Sequence, residues 1–306
     1  MALPAPLTGI VPPLCTPLTP DREVDVPSLL RLVDHLVEGG VHGVFVLGTA
    51  SEAAFLTDRQ RRQVVEVVAA HLDGRLPVLA GAIDMSTARA LDQVASVTAA
   101  GADGVVVTAP FYVLPRPAEI ARHFRRVAER SPVPVLAYDI PPCVHTGLPV
   151  DLVLQLAEEG VLAGLKDSSG DLAGFREILA GVRAGAGPAG FSVLTGSERL
   201  VDAALALGAD GAVPGLANVD PHGYVRLYRR ARAGDWDGAR AEQERLCELS
   251  GMTGSAGTGP SAWGAYKAAL HLRGVIDCPA TAEPQLPPAP EEVERVRALL
   301  SAAGLV

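Results

Sequence analysis

The sequence predicts an α/β protein, a TIM-type (β/α)8 barrel with a C-terminal helical appendage. Three observations carry that reading. Eight apolar runs of strand length alternate with stretches of helical pattern over roughly the first three-quarters of the 306-residue chain, and right-handed βαβ crossovers in that number close a barrel. A short join between helix end and strand recurs as Gly40-Val41-His42-Gly43, Gly101-Ala102-Asp103-Gly104 and Gly208-Ala209-Asp210-Gly211, each opening on a glycine suited to a helix C-cap. Hydrophobic residues make up 48% of the chain but aromatics only 4%. The core is therefore Ala, Val and Leu, as parallel strands covered by helices require.

Each element has a local reason. Residues 9–14 are apolar but interrupted by Pro12 and Pro13, which allows only a short or irregular first strand. Asp25 caps a helix over 26–38 that stops at Gly39-Gly40. The second strand is 41–47. Thr57-Asp58-Arg59-Gln60 is a capping box opening a helix to about 72. Strand three is 77–80, followed by a helix over 86–100; strand four is 104–108. Pro117 stands at the first position of a helix running to 130. Strand five (133–138) precedes a helix over 149–159, and strand six ends the run 161–166. Asp171 caps a helix to about 183. Strand seven (192–195), a helix over 198–207, strand eight (211–213) and a helix over about 219–233 complete the barrel. Beyond it lie helices over 235–249, 262–272 and 291–303, with a Gly-rich loop over 251–260. The division is thus 1–233 barrel and 234–306 helices packed on it. A doubly wound open sheet is the alternative, but the glycine-rich phosphate turn it usually carries after strand one is absent.

In such a barrel the chemistry sits at the C-terminal strand ends. Strand six ends in Gly164-Leu165-Lys166-Asp167. Lysine is almost never fully buried unpaired. Held against an apolar wall its pKa falls, and a neutral, nucleophilic amine becomes available near pH 7, which a Schiff-base lysine needs. A strand-end lysine that snorkels to water is the plainer alternative. Its neighbours at the same mouth add weight: Gly48-Thr49-Ala50-Ser51-Glu52 after strand two, Tyr112 after strand four, Tyr138 at the end of strand five, Glu198 after strand seven and Val213 at strand eight. Two of the chain's five tyrosines fall there.

These segments resemble those of the dihydrodipicolinate synthase/N-acetylneuraminate lyase family of pyruvate-dependent class I aldolases. Gly48-Thr49-x-x-Glu52 is similar to the family's GTTGE turn, Tyr138-Asp139-Ile140-Pro141 to its YNxP segment, Gly164-Leu165-Lys166 to its GxK segment and Cys15-Thr16-Pro17-Leu18 to its entry. Gly208-Ala209-Asp210-Gly211 and Ala217-Asn218-Val219 match its late barrel pattern, and the resemblance runs from about residue 9 to the C-terminus. It implies a lysine imine at Lys166, with Tyr138 as proton carrier, Thr49 bonded to Tyr138, and Tyr112 completing the relay from a neighbouring subunit. Pyruvate's carboxylate would lie on the turn at Ala50 and Ser51, with the Val213 carbonyl nearby. No metal and no organic cofactor are implied, and the assembly would be a dimer or tetramer.

Two departures bear on the substrate. The family's second hydroxyl residue and glycine are replaced by Ala50 and Ser51, which shifts carboxylate binding toward the Ser51 hydroxyl and backbone amides. After the YNxP-like segment, Pro142-Cys143-Val144-His145-Thr146-Gly147 is longer and lacks the arginine that takes the aldehyde's carboxylate; Pro214-Gly215 replaces the lyases' sugar-binding serine. The expected partner aldehyde is therefore neither aspartate semialdehyde nor N-acetylmannosamine. A 2-keto-3-deoxy sugar acid aldolase or dehydratase using the same imine is the alternative enzyme, and a catalytically silent barrel binding a 2-oxo acid the alternative from another class.

Other chemistries find little support. The formal net charge is −9 and no basic patch stands out beyond Arg229-Arg230-Ala231-Arg232 at a helix end, so nucleic acid is not an expected partner. Gly185-Ala186-Gly187-Pro188-Ala189-Gly190 follows a helix and precedes a strand, the reverse of a dinucleotide turn. The seven histidines show no HExxH spacing. Four scattered cysteines, the lack of a signal-peptide pattern and the lack of a membrane-length apolar run point to a cytoplasmic protein without a membrane partner.

Overall fold

Eight parallel strands form one sheet that curls until its ends meet: β1 (Gly9–Ile10), β2 (Val44–Val46), β3 (Val78–Gly81), β4 (Gly104–Thr108), β5 (Val135–Asp139), β6 (Gly164–Asp167), β7 (Ser192–Thr195) and β8 (Gly211–Ala212). The computed structural model describes residues 2–253 and 260–306. Strands β2 to β8 pair in sequence order and β8 pairs β1, Gly9 against Gly211. That approach is so close that a Cβ on Gly211 would stand 2.0 Å from the Gly9 carbonyl oxygen. The seam between β1 and β2 is carried by loop backbone: His42 N donates to Ile10 O (2.8 Å), Phe45 N to Pro12 O (2.9 Å) and Leu14 N to Phe45 O (2.8 Å). Pro12 and Pro13 lack donors, which shortens β1 as their positions predict.

The barrel helices are α1 (Val26–Glu38), α2 (Asp58–Leu72), α3 (Thr87–Ala99), α4 (Pro117–Arg130), α5 (Pro141–Val144), α6 (Val150–Glu158), α7 (Leu172–Arg183), α8 (Val201–Leu207) and α9 (Pro221–Arg232); α10 (Trp236–Ser250), α11 (Pro260–Leu272) and α12 (Pro290–Ala302) follow. Caps fall where the residues place them. Asp25 accepts from Ser28 N, and Asp171 from the amides of Ala173 and Gly174. Thr57 and Gln60 close a reciprocal box on α2. Several boundaries differ from expectation. The second strand is three residues: Val41 N is still bonded to Leu36 O at the end of α1, and Leu47 takes a left-handed φ of 58°. A four-residue helix, α5, follows strand five where a loop was expected; its two prolines occupy first-turn positions that need no donor. Helix α8 begins at Val201 and not at Glu198, since its first free amides, those of Val201 and Asp202, donate to Gln243 Oε1 of α10 (2.9 and 3.2 Å). Of the expected Gly-rich loop, 251–253 form a 3-10 turn and 254–259 lie outside the described residues.

Strand alternation separates two cores. Val105, Val107, Val135, Ala137, Leu165 and Val193 face the helices in one continuous cluster that also takes in Leu246, Val296 and Leu300 of the C-terminal helices. Val106, Leu136, Tyr138, Leu194, Val213, Phe45 and Leu79 fill the barrel. The same period turns Lys166 inward at the top of β6, in register with Tyr138 on one side and Leu194 on the other.

Candidate active site

Lys166 is 5% exposed although it ends a strand. Its amine lies over two aromatic faces, 4.0 Å from the centre of the Tyr138 ring and 4.9 Å from that of Phe45. Among the described residues no carboxylate pairs with it. Ring faces favour an ammonium by about 1–2 kcal/mol, and Glu198 and Cys143 act in the same direction. Burial outweighs them and lowers the pKa to about 7. At neutral pH the uncharged amine is then accessible, whereas an ordinary lysine is almost wholly protonated.

Tyr138, on the inner face of β5, is buried and its hydroxyl bonds Thr49 Oγ1 (3.3 Å). Burial pushes the phenol up to about 12, while Thr49 and Ser168 hold it down. It therefore stays protonated and can hand a proton on or take one back. Cβ on Gly48 would lie 2.7 Å from the Phe45 ring, so glycine lets the turn close over the ring that walls the lysine.

The turn after β2 departs from expectation in one respect. Ser51 is fully buried, its hydroxyl donates to Leu14 O and accepts from Gly48 N, and its amide donates to Gly48 O. Both polar groups hold the turn, so the hydroxyl expected to meet a carboxylate is engaged by the backbone of Leu14 and Gly48. The amides of Thr49 and Ala50 are left without a partner among the described residues. Glu52, with a left-handed φ of 59°, fixes the far end. Its carboxylate meets Lys267 Nζ of α11, Gln285 Nε2 (3.0 Å) and Ala282 N (3.4 Å), and the Glu52 and Lys267 side chains are both 0% exposed. The C-terminal helices thus anchor the turn. Nothing local in the sequence marks this pair, whose members lie 215 positions apart.

Val213 is buried beside Tyr138 in the barrel core and its amide donates to Thr195 O (2.7 Å). Glu198 accepts from Tyr266 OH (2.8 Å) and from Leu216 N (2.8 Å) in the 3-10 turn after β8, and burial raises its pKa. Asp139 and Asp167 stand in register on β5 and β6. Desolvation, aided by Asp167, raises Asp139 to about 7, while Leu148 N opposes the shift. Tyr112 does not reach Tyr138 within the chain. It is 86% exposed with φ 77°, beside Val113 and Leu114, also exposed. His145, also left-handed, is an exposed loop residue.

A cavity of about 450 Å³ opens at this end of the barrel beside Thr49, lined by Ile140, Cys143, Val144, Phe111, Trp263 and others. No group of three or more metal-ligating side chains occurs among the described residues, and no described helix is long and apolar enough to cross a membrane.

The chain is 32% identical over 243 residues to 4-hydroxy-tetrahydrodipicolinate synthase of Methanothermobacter thermautotrophicus, covering 79% of this chain and 86% of that one. It is 37% identical over 271 residues to an uncharacterised DapA-like lyase of Halobacterium salinarum, covering 89% and 86%. Among solved structures it superposes on YagE of E. coli K12, a prophage protein of the dihydrodipicolinic acid synthase family crystallised with pyruvate, with TM-score 0.92, 29% identity and coverage of 98% and 99%. The dihydrodipicolinate synthase of Bacteroides thetaiotaomicron gives TM-score 0.91 at 31% identity, covering 98% and 99%. The model of the dihydrodipicolinate synthetase family matches residues 6–303, and the chain belongs to that family.

Proposed function

We propose that Lys166 forms an imine with the ketone carbon of pyruvate and that the protein, a lyase of the class I aldolase type, makes or cleaves a carbon–carbon bond between pyruvate and an aldehyde. The observation that carries the assignment is the buried amine of Lys166 held between the Tyr138 and Phe45 rings with no carboxylate paired to it among the described residues. The amine adds to the carbonyl and water leaves, with Tyr138 passing the proton that the departing oxygen needs. The protonated imine draws electrons from the adjacent methyl, which loses a proton to give an enamine. The enamine attacks the aldehyde carbon, the alkoxide takes a proton through Tyr138, and hydrolysis returns the free lysine. The imine is itself the electron sink, so this reading assigns no metal or organic cofactor.

Pyruvate's carboxylate lies on the unpartnered amides of Thr49 and Ala50, with the Val213 carbonyl close to the substrate. Thr49 orients Tyr138 through its 3.3 Å bond. Exposed Tyr112, Val113 and Leu114 support an oligomer, a dimer or tetramer, in which Tyr112 enters the relay of a neighbouring copy. The proposed setting is cytoplasmic. The test is intact-protein mass after incubation with pyruvate and borohydride. A reduced pyruvyl adduct on wild type and none on Lys166→Ala is expected; no adduct on wild type overturns the reading.

A further inference from the structure

One buried hydroxyl at the barrel mouth takes no part in the imine chemistry of Lys166. Thr108 ends β4 and is 2% exposed. Val106 faces the barrel interior, so Thr108, two positions on, faces it too. Its register partner is Tyr138, whose partner on the other side is Lys166. The three side chains therefore stand in one row on the inner face. The cavity beside Thr49 touches that row at Thr108. Yet Thr108 Oγ1 has no hydrogen-bond partner among the described residues. A buried hydroxyl is ordinarily bonded, so an unpaired one at this place points to a partner that arrives with a bound molecule.

The other polar groups of the cavity are less suited to meet an oxygen beside Tyr138. Gln285 Oε1 is also unpaired, but its amide nitrogen donates to Glu52 (3.0 Å), so the atom left over only accepts. Arg89 and Arg61 face Asp84 (2.7 and 3.9 Å). Thr49 is bonded to Tyr138 already. When the enamine attacks the aldehyde, the carbonyl π pair moves onto oxygen. That oxygen has two lone pairs, and Tyr138 with its one proton serves one of them. A second donor, fixed in place before the charge develops, lowers the barrier.

Resting on the imine reading above, we infer that Thr108 is a further catalytic residue: its hydroxyl donates to the oxygen of the aldehyde as the carbon–carbon bond forms, while Tyr138 supplies the proton that neutralises that oxygen. The enamine pair makes the new bond, the carbonyl π pair ends on the new hydroxyl oxygen, and the imine is regenerated on Lys166. Thr108 keeps its own proton throughout. Because the contact is to the reacting oxygen, it serves any aldehyde, whatever the rest of its chain.

Thr108→Val keeps the shape of the side chain and removes the hydroxyl. Two readouts need no aldehyde: borohydride trapping, and exchange of pyruvate's methyl protons in D2O followed by NMR. Condensation is followed as pyruvate consumption with glyceraldehyde, isobutyraldehyde and glyoxylate in turn. The expected result is trapping and exchange close to wild type, with kcat/KM for each aldehyde that wild type accepts lowered about tenfold or more, and by a similar factor for each. Thr108→Ser, which restores a hydroxyl, is expected to recover most of the loss. Equal loss of exchange and condensation with a lower melting temperature overturns the inference, because Thr108 is then structural. Unchanged condensation overturns it outright. So does a loss confined to one aldehyde, which places the hydroxyl on the substrate's chain and not on its reacting oxygen. Wild type that exchanges methyl protons yet condenses none of the aldehydes overturns it too, while the imine stands. Absence of any adduct or exchange in wild type overturns the imine reading and this inference together.

Discussion

Replacing Lys267 with methionine tests whether the C-terminal helices hold the turn after β2, on which pyruvate is proposed to bind. The substitution keeps the length of the side chain and leaves the Glu52 carboxylate buried with Gln285 Nε2 and Ala282 N as its remaining partners. Both side chains of the pair are 0% exposed, so solvent does not screen the loss. Removing one member of a buried pair costs about 3–5 kcal/mol. At roughly 2 °C per kcal/mol for a chain of this size, Lys267→Met should melt roughly 6–10 °C below wild type. Glu52 ends the turn that offers the Thr49 and Ala50 amides, so the pyruvate concentration giving half-maximal borohydride trapping should rise about tenfold, equivalent to about 1.4 kcal/mol. Glu52→Gln/Lys267→Met removes both charges. In a double-mutant cycle it should recover much of the melting temperature, because no unpaired charge remains. Measurements are differential scanning calorimetry and a trapping titration. A Lys267→Met protein that melts with wild type and half-saturates at the same pyruvate concentration would refute the reasoning.

Other outcomes are equally concrete. The rate of pyruvate trapping should fall about tenfold per pH unit below about 7 and level off above it, because only the neutral amine attacks and the Lys166 pKa is lowered to about 7; a profile still rising through pH 9 would show an ordinary lysine. Tyr138→Phe should lower kcat about 10²–10⁴-fold while Lys166 still traps pyruvate slowly, and steady-state kinetics separates the two. Thr49→Val should lower kcat by about fivefold to tenfold, the loss of one hydrogen bond of about 1 kcal/mol, with melting little changed. Gly48→Ala drives a methyl toward the Phe45 ring at 2.7 Å; weakened pyruvate trapping with an intact circular dichroism spectrum is the expected sign.

The sequence reveals what is local and repetitive here. Asp25, Asp171 and the Thr57–Gln60 box act on amides within three residues, so their motifs suffice to start three helices. Lys166 and Tyr138 were legible because strand alternation and the strand-end rule place them on one face at one mouth. What escaped depends on distant partners. The Glu52–Lys267 pair, the Gln243 cap on α8 and the Glu198–Tyr266 contact each join segments 42 or more positions apart. The inward turn of Ser51 is of the same kind, since its hydroxyl is claimed by Leu14 on another strand's loop. Helix α5 was missed for a different reason. Pro141 and Pro142 read as loop residues, yet a helix only four residues long uses no donor at its first positions.

The seam and the Lys267 anchor together set an order of events during synthesis. A chain leaves the ribosome from its N-terminus at about 5–20 residues per second. Gly9 emerges first but has no β partner until Gly211 follows, and the Glu52 carboxylate waits longer still, for Lys267 and Gln285. A nascent chain therefore carries Lys166 well before it has a closed barrel or a fixed turn beside it. The turn is fixed only once Lys267 and Gln285 have emerged, so an interrupted translation product lacks its anchor.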